Sequence, residues 1–186
     1  MINHNLRFIF IHMPRTGGTS IEHQFKYNDE DNKKHWTLDD WKRDLSNDTF
    51  NEYFKFSFIR NPWDITISKY LAPFYHEINK LSNKSLLYFL KNYFLAPNEG
   101  GDLLHQCFCP KDIDFIGRFE NRKEDLGFIS NKIGFNIDPY FSAKAKEMQK
   151  SRSKKHYTEY YDEETKQIVA EKYAKDIEYF GYKFGE

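Results

Sequence analysis

FIFIHMPRTGGTSIEHQF, residues 8–25, joins four apolar residues to a loop of small and hydroxylated residues, and then to a helical pattern. A strand, a short loop and a helix in this order are typical of proteins that hold a phosphate group on backbone N–H groups. The loop PRTGGTS differs from the G-x-x-x-x-G-K-[ST] pattern of ATP and GTP loops, because no lysine follows its glycines. The stretch therefore predicts an anion site of another kind.

Length and composition limit the functions open to the chain. Its 186 residues predict one domain, residues 1–186, and its net charge of zero argues against binding nucleic acid through bulk charge. No leader pattern and no apolar run of about 18 residues is visible, so we expect no transmembrane segment and a cytoplasmic location. The two cysteines, Cys107 and Cys109, are expected to be reduced thiols.

Hydrophobic runs and capping residues predict an alternation of strands and helices. Thr37 and Asp40 form a capping-box pattern, Asn61 precedes a proline at a helix start, and Gly134 closes a helix. The alternation predicts an α/β fold with a P-loop-like, mainly parallel sheet flanked by helices. Strands are predicted over residues 6–12, 53–60 and 113–119, and helices over 19–27, 37–45, 61–71, 85–95, 120–134 and 162–182.

The first junction between a strand and a helix offers donors for an anion. Two adjacent glycines let the backbone approach a ligand closely, and an arginine adds a fixed positive charge. The alternative is a tight turn with a solvated arginine. The candidate ligand-binding residues are Arg15, Thr16, Gly17, Gly18, Thr19 and Ser20.

The second junction has Arg60 at the end of a strand and Ser68 about two turns into the next helix. From Pro62 to Ser68 the helix rises roughly 9 Å, so the arginine and the serine can hold a second phosphate. The alternative is an arginine that pairs with a neighbouring carboxylate. Two anion sites at neighbouring strand ends favour a nucleotide with phosphates at both its 5′ and 3′ positions.

Two segments that contain these junctions, FIHMPRTGGTS and FSFIRNPWDITISKY, resemble the cofactor-binding segments of sulfotransferases that use 3′-phosphoadenosine 5′-phosphosulfate (PAPS). The similarity is greater to the carbohydrate (heparan 2-O-like) branch, whose loop usually reads F-[IV]-H-[IVM]-P-K-T-G-G-T-S. DFIGRFEN and YYDEETKQIVAEKYAKDIEYFGYKF are similar to later family blocks, so the resemblance runs from residue 8 to about residue 184. It implies the sulfotransferase fold and transfer of a sulfuryl group from PAPS, as co-substrate, to a hydroxyl of a carbohydrate or other small molecule.

By position, the resemblance implies that the PRTGGTS loop holds the 5′-phosphosulfate, and that Arg60 and Ser68 hold the 3′-phosphate. Arg15 stands where the family usually has a lysine, which is thought to stabilise the bridging oxygen as the sulfuryl group leaves. Arg15 is therefore assigned a catalytic role as well as a binding role. An arginine keeps the charge but is bulkier and cannot lose its proton, so the departure bears on geometry and rate more than on binding.

The resemblance also implies a base for the acceptor hydroxyl. His35 opens HWTLDDW, which is similar to the H-x-T segment that supplies the catalytic base in this branch. A surface histidine before a helix cap is the alternative. His12 is expected to orient the loop. The carboxylates that could replace His35 as the base are Glu22, Asp29, Asp31 and Asp64.

Two further segments have open interpretations. The region 75–110 is the candidate acceptor lid, where a sugar could stack on Tyr88, Tyr93 or Phe108, although an aromatic core explains these residues better. KSRSKKHY departs from relatives that often place an asparagine and a serine against the nucleotide, and it either covers the 3′-phosphate or forms a solvated basic loop. Its candidate cations are Arg152, Lys154 and Lys155.

Two other function classes remain open at this stage. A P-loop small-molecule kinase needs a lysine in the loop and a magnesium ion held by carboxylates, and the lysine is missing from its expected place. A nucleotide-binding protein without catalysis is conceivable because of Arg15. We see no carboxylate cluster with metal-ligand spacing, so no metal is expected. The sequence leaves the acceptor and the oligomeric state undetermined.

Overall fold

The structure is a computed structural model that describes residues 1–27, 33–72, 85–94, 112–142 and 155–186. The chain divides into two compact units. The first comprises Met1–Arg60 and Leu104–Ala145, and the second comprises Asn61–Leu103 and Lys146–Glu186. The four described strands and the PRTGGTS loop belong to the first unit. The expectation of one domain over residues 1–186 stays a prediction.

The sheet of the first unit is mainly parallel. Its strands are β1 (Ile2–Asn3), β2 (Phe8–Ile11), β3 (Phe54–Ile59) and β4 (Phe115–Arg118). They lie in the order β1-β2-β3-β4, with β1 antiparallel to β2 and the other two pairs parallel. The three predicted strands are confirmed, each with shorter bounds, and so is the α/β fold with its mainly parallel sheet.

Helices follow or precede these strands along the chain. The second unit also contains a π-helical turn, Leu90–Phe94, that continues the helix before it. The α-helices of the described residues are α1 (Gly18–Gln24), α2 (Leu38–Asp44), α3 (Asn47–Glu52), α4 (Pro62–Tyr70), α5 (Leu86–Phe89), α6 (Arg122–Ile133), α7 (Glu163–Lys172) and α8 (Ala174–Phe180).

An aromatic core fixes the point at which β2 ends. Phe8, Phe10, Phe56 and Phe58 are fully buried from solvent, and Ile21 of α1 packs in the same cluster. The rings of Phe10 and Phe56 stack with their centroids 5.0 Å apart. Burying each such side chain contributes about 1.5–3 kcal/mol, so the strand positions are strongly determined. The loop that follows β2 is therefore attached to a rigid base.

Capping residues set several helix ends as the sequence predicts. The Thr37 hydroxyl accepts a hydrogen bond from the Asp40 N–H, and the Asp40 carboxylate accepts one from the Thr37 N–H, so the predicted capping box is confirmed. The Asn61 side chain accepts from the Trp63 N–H, as expected for an N-cap before proline. Gly134 adopts a left-handed conformation (φ 69°) and ends α6. These local signals are readable because each depends on near neighbours in sequence.

The second unit is built around α4. The Trp63 indole N–H donates to the Lys166 carbonyl at 3.0 Å, and the Tyr161 hydroxyl donates to the Trp63 carbonyl at 2.8 Å. The Asn61 side chain donates to the Lys183 carbonyl at 2.9 Å. These bonds join α4 to α7 and to the end of the chain, and burial raises the pKa of the Tyr161 hydroxyl.

The predicted C-terminal helix, residues 162–182, is wrong as a single element. The structure has two helices, α7 and α8, separated at Tyr173, whose backbone (φ −105°, ψ 23°) leaves the helical region. The Tyr173 side chain is fully buried. Apolar residues repeat every 3.6 positions in both helices, so the sequence pattern does not reveal the break in the backbone at Tyr173.

No helix in the described ranges is long and apolar enough to cross a lipid bilayer.

Candidate functional site: the PRTGGTS loop

The loop between β2 and α1 is folded by two residues with left-handed backbone conformations. Arg15 has φ 69° and Gly17 has φ 83°. The Thr16 side chain between them is buried, and its hydroxyl donates to the Met13 carbonyl at 2.8 Å. A left-handed conformation is uncommon for a residue other than glycine and often marks a functional site. The loop therefore has a defined shape, in which the Thr16 hydroxyl proton is already used.

Gly18 is required by the ring of His12. A Cβ atom at residue 18 would lie 2.2 Å from the His12 Cδ2 atom, a distance that real Cβ atoms essentially never show. The imidazole of His12 thus packs directly against the start of α1. This contact supports the interpretation that His12 orients the loop, and it gives Gly18 a role in packing beside its predicted role toward an anion.

His12, Glu22 and Lys34 form a polar cluster under the loop. The His12 Nδ1 atom lies 2.8 Å from Glu22 Oε1, and the Lys34 Nζ atom lies 3.2 Å from Glu22 Oε2. Both His12 and Glu22 are buried, with 4% and 2% of their surface exposed. Because the carboxylate accepts from both neighbours, it is paired, and the cluster anchors α1 to the end of β2.

The pKa values of the buried pair are shifted in a consistent way. Burial lowers the pKa of the His12 imidazole, and this effect outweighs the opposing hydrogen bond to Glu22. Burial alone would raise the pKa of the Glu22 carboxyl, but the interactions with His12 and Lys34 outweigh it and lower the net pKa. At neutral pH the pair is therefore a neutral imidazole, with its proton on Nδ1, donating to a carboxylate.

His35 lies directly beside His12. Its Nδ1 atom is 3.1 Å from the His12 carbonyl oxygen, and the centroids of the two rings are 4.8 Å apart. A carbonyl oxygen can only accept a hydrogen bond, so Nδ1 of His35 is the donor. In the neutral ring the lone pair is then on Nε2. The structure places an imidazole with a defined tautomer next to the residue that supports the loop.

Arg15 and Arg60 meet at the backbone of the loop. The Arg60 Nη1 atom donates to the Arg15 carbonyl at 3.0 Å, and the Arg60 guanidinium lies 4.1 Å from the centroid of the Phe119 ring. Arg15 itself is exposed. Two of the predicted cofactor-binding arginines are thus adjacent, and Arg60 supports the conformation of the loop in addition to its predicted contact with a phosphate.

Arg122 is a further residue of this site, and the sequence reasoning missed it. A Cβ atom on Gly17 would lie 2.8 Å from the Arg122 Nη1 atom and 3.3 Å from Cε2 of Phe119. Arg122 is the first residue of α6, which directly follows the 3₁₀ turn after β4. A cation at a helix N-terminus is unfavourable with respect to the helix dipole. That unfavourable position was the sequence signal that could have identified it.

The other predicted residues lie elsewhere. Thr19 and Ser20 lie in the first turn of α1, with the Ser20 N–H donating to the Gly17 carbonyl at 3.1 Å. Ser68 is half-buried on α4 in the second unit, and so is Asp64, whereas Arg60 belongs to the first unit. Asp29, Asp31, Phe108, Cys107, Cys109, Arg152 and Lys154 lie outside the described residues, as do the side chain of Tyr93 and most of the region 75–110. The exposed Tyr88 and Lys155 are described.

Among the residues that the structure describes, no group of three or more histidine, cysteine, aspartate or glutamate side chains is arranged to hold a metal ion. The polar groups around the loop are cations, a histidine pair and the Glu22 carboxylate, which is paired with His12 and Lys34. This arrangement is suited to binding an anion and to accepting a proton.

Comparison with known proteins gives one family. The profile described as "Sulfotransferase family" matches residues 103–183, which include β4, α6 and Arg122 but not the PRTGGTS loop. An uncharacterized protein of Archaeoglobus fulgidus is 33% identical over 90 residues, which are 46% of this chain and 71% of that protein. No solved structure gives a significant match.

Proposed function

We propose that the chain, whose residues 103–183 match the sulfotransferase family profile, transfers a sulfuryl group from PAPS to a hydroxyl group of a carbohydrate acceptor. The observation that carries this proposal is the position of His35. Its Nδ1 atom is held by the His12 carbonyl at 3.1 Å, beside the ring that packs on Gly18. A base with a free Nε2 lone pair is thereby attached to the loop that the donor would occupy.

The residues of the loop fit an anionic donor. Arg60 donates to the Arg15 carbonyl, Arg122 lies against Gly17, and Gly17 leaves no side chain between the backbone and the Arg122 guanidinium. Guanidinium groups bind phosphate and sulfate oxygens through paired, charge-assisted hydrogen bonds. Residues 15–20 would hold the 5′-phosphosulfate. When bound, PAPS would supply a sulfuryl group on a phosphate leaving group.

Arg60 and Ser68 would hold the 3′-phosphate. Arg60 is the residue immediately before Asn61, the cap of α4, and Ser68 is on that helix. The proposal rests here on the sequence order of strand, arginine, helix and serine, which resembles the second cofactor-binding segment of PAPS-dependent enzymes. PAPS carries a phosphate on the ribose 3′ position and ATP does not, so an enzyme that uses PAPS needs this second contact.

His35 would remove the proton of the acceptor hydroxyl. Because Nδ1 donates to the His12 carbonyl, Nε2 is the nitrogen that accepts the proton, and the imidazolium formed would keep that hydrogen bond. Arg15 would stabilise the negative charge that develops on the leaving phosphate, in place of the usual lysine of the family. Its exposed side chain and left-handed backbone direct the residue out of the core.

The acceptor is proposed to be a neutral or weakly charged sugar. A net charge of zero mildly disfavours a long polyanionic chain, which would need an extended basic groove. Hydroxyl groups of a single or terminal sugar need only one positioned base and one donor site. The chemistry assigned to His35 and to the loop is the same for any such hydroxyl.

Calorimetry with adenosine 3′,5′-bisphosphate (PAP) and with ATP, each with and without EDTA, tests the proposal. We expect PAP to bind more tightly than ATP and to bind equally well in EDTA, because the site consists of cations and backbone donors. Tighter binding of ATP that depends on magnesium would contradict the proposal and would favour a kinase. Binding of PAP without any turnover would indicate a nucleotide-binding protein that does not catalyse transfer.

A further inference from the structure

The guanidinium of Arg122 is enclosed next to the PRTGGTS loop without a hydrogen-bond partner at its end. Its Nη1 and Nη2 atoms are buried and make no hydrogen bond, whereas Nε donates to the Pro139 carbonyl at 3.3 Å. The Nη1 atom is the nearest neighbour of the space beside Gly17, at 2.8 Å from the position of a Cβ atom there. The side chain is therefore held at its Nε atom while its Nη1 atom lies against Gly17 of the loop.

No carboxylate among the described residues neutralises this charge. The first turn of α6 contains the carboxylate of Asp125, and both of its oxygens accept hydrogen bonds from other groups. Oδ2 accepts from the Arg118 N–H at 2.6 Å, and Oδ1 accepts from the Asn121 side chain at 3.0 Å. The aromatic ring of Phe58 lies on another side of the guanidinium, 6.0 Å from its central carbon. The two terminal nitrogens of Arg122 are thus buried without a counter-ion among the described residues.

This arrangement needs an explanation, because an arginine side chain does not lose its proton and so keeps its positive charge. Burial lowers the pKa of the guanidinium, but arginine remains protonated in proteins. Buried polar groups are nearly always hydrogen-bonded, and an unpaired buried charge is unfavourable. A site that binds an anion explains the unpaired donors, since the ligand supplies the missing acceptors.

We propose that Arg122 is an anion-binding residue of the PRTGGTS loop, which takes a phosphate or sulfate group on its two Nη atoms. This inference rests on the proposed function. The bound group is the 5′-phosphosulfate of the donor, and Arg122 contacts it from the Gly17 side of the loop. The planar guanidinium presents two parallel N–H groups to two oxygens of one tetrahedral anion. Gly17 is then required because any side chain there would separate Arg122 from the loop.

Two ligand series test this role in the full chain, with Arg122→Gln and Arg122→Lys as variants. Lys123→Gln is the matched control, because it removes one positive charge from the exposed neighbouring position. In the first series, thermal unfolding is followed with increasing sodium sulfate and sodium phosphate against sodium chloride at equal ionic strength, which separates binding from screening. In the second, calorimetry compares PAP with adenosine 3′-phosphate, which differ only at the 5′ end.

We expect sulfate and phosphate to raise the Tm of the wild-type chain and of Lys123→Gln, and to have little effect on Arg122→Gln. The preference for PAP over adenosine 3′-phosphate should fall about tenfold or more in Arg122→Gln, while the affinity for adenosine 3′-phosphate stays nearly constant. Arg122→Lys should lie between, because it keeps the charge but loses the paired geometry.

The outcomes separate this inference from the proposed function. If sulfate binding depends on Arg122 but PAP does not bind at all, the anion site stands and the donor assignment fails. If Arg122 had only a structural role, Arg122→Gln would have a lower Tm, but sulfate and phosphate would shift that Tm as in the wild type, and the preference for PAP would be unchanged. That result, or a wild-type chain that responds to neither ligand series, would overturn the inference.

Discussion

The Nδ1 atom of His35 lies 3.1 Å from the carbonyl oxygen of His12, although 23 residues separate them in sequence. This bond fixes which nitrogen of His35 carries the lone pair. It also attaches His35 to the residue whose ring packs on Gly18 at the start of α1. A candidate base and a candidate anion loop are therefore joined through one buried histidine.

Replacing His35 by alanine should lower the turnover rate by roughly 10²–10⁴, the usual contribution of a positioned general base. PAP affinity should change little, because His35 is bonded to the His12 carbonyl and packs against the His12 ring. Single-turnover rates and calorimetry measure the two effects separately. His23→Ala is the control, since His23 is an exposed histidine on α1. A His35→Ala variant that keeps more than about a third of the wild-type rate would show that another group acts as the base.

Gly18→Ala should damage both stability and PAP binding. The new Cβ atom would lie 2.2 Å from the His12 ring, so His12 or α1 must shift. Overpacking of this kind costs about 1–3 kcal/mol in the free energy of unfolding, which urea denaturation measures. The matched control is Gly127→Ala on α6, where nothing lies within 4 Å of the added Cβ and the helix should become slightly more stable. Equal effects of the two substitutions would show that His12 does not need the space at residue 18.

A preference for PAP over AMP tests the 3′-phosphate assignment. We expect at least a tenfold preference, about 1.4 kcal/mol, from the contacts of Arg60 and Ser68. Ser68→Ala should reduce this preference without affecting AMP, and Arg60→Ala should abolish it. Because Arg60 also donates to the Arg15 carbonyl, its loss should weaken AMP binding as well. Equal affinities of the wild-type chain for PAP and AMP by calorimetry would refute the two-phosphate arrangement.

The buried His12 should make the chain less stable in mild acid. Burial lowers its pKa, so below about pH 6.5 the unfolded chain binds a proton that the folded chain does not. Stability therefore falls as the pH falls through this value, by at most about 1.4 kcal/mol per pH unit. The Glu22 pKa is also lowered, so its contribution is present above the carboxyl's ordinary pKa and is lost only in stronger acid.

Urea denaturation between about pH 7.5 and pH 5 measures this effect in the wild-type chain and in His12→Asn. The asparagine amide can replace the Nδ1–H donor to Glu22 but does not titrate. The stability of His12→Asn should depend less steeply on pH. Parallel pH profiles for the two chains would show that another group causes the acid sensitivity.

The sequence predicts the strand, the loop and the helix start that form the site, because each is marked by residues close together in sequence. The apolar run FIFI, the loop PRTGGTS and the cap Asn61 each occur within a few residues, and the structure has β2, a loop and α4 at these places. Element ends are less predictable. β2 begins at Phe8 rather than residue 6 and α1 ends at Gln24 rather than residue 27, because Arg7 and Lys26 have left-handed conformations.

Two short elements were not predicted, and both depend on distant contacts. β1 has only two residues, and it is held by the Met1 ammonium group, which donates to the Phe10 carbonyl at 2.9 Å. Five of the six residues of α3 are weak helix formers, so the helix relies on the Ser46 cap and the buried Phe50. Neither the two-residue pairing nor the burial of one side chain leaves a periodic pattern in the sequence.

The polar contacts of the site were predictable only in part. His35 was identified by resemblance, but its bond to His12 joins residues far apart in sequence. The Glu22–Lys34 pair could not be located, since one charged residue in an amphipathic helix looks like any other, and Arg122 is marked only by its unfavourable position at a helix N-terminus. What sequence patterns omit is which charges become buried, and burial is what distinguishes Glu22 and Arg122 from surface charges.

The most direct test of the account is transfer of the ³⁵S label from PAPS to a panel of neutral sugars, in the presence of EDTA. We expect a labelled sugar sulfate from the wild-type chain, little product from His35→Ala and Arg15→Ala, and a rate for Arg15→Lys within about tenfold of the wild type. A wild-type chain that binds PAP but yields no labelled sugar, or one that transfers a phosphoryl group from ATP only with magnesium, would contradict it.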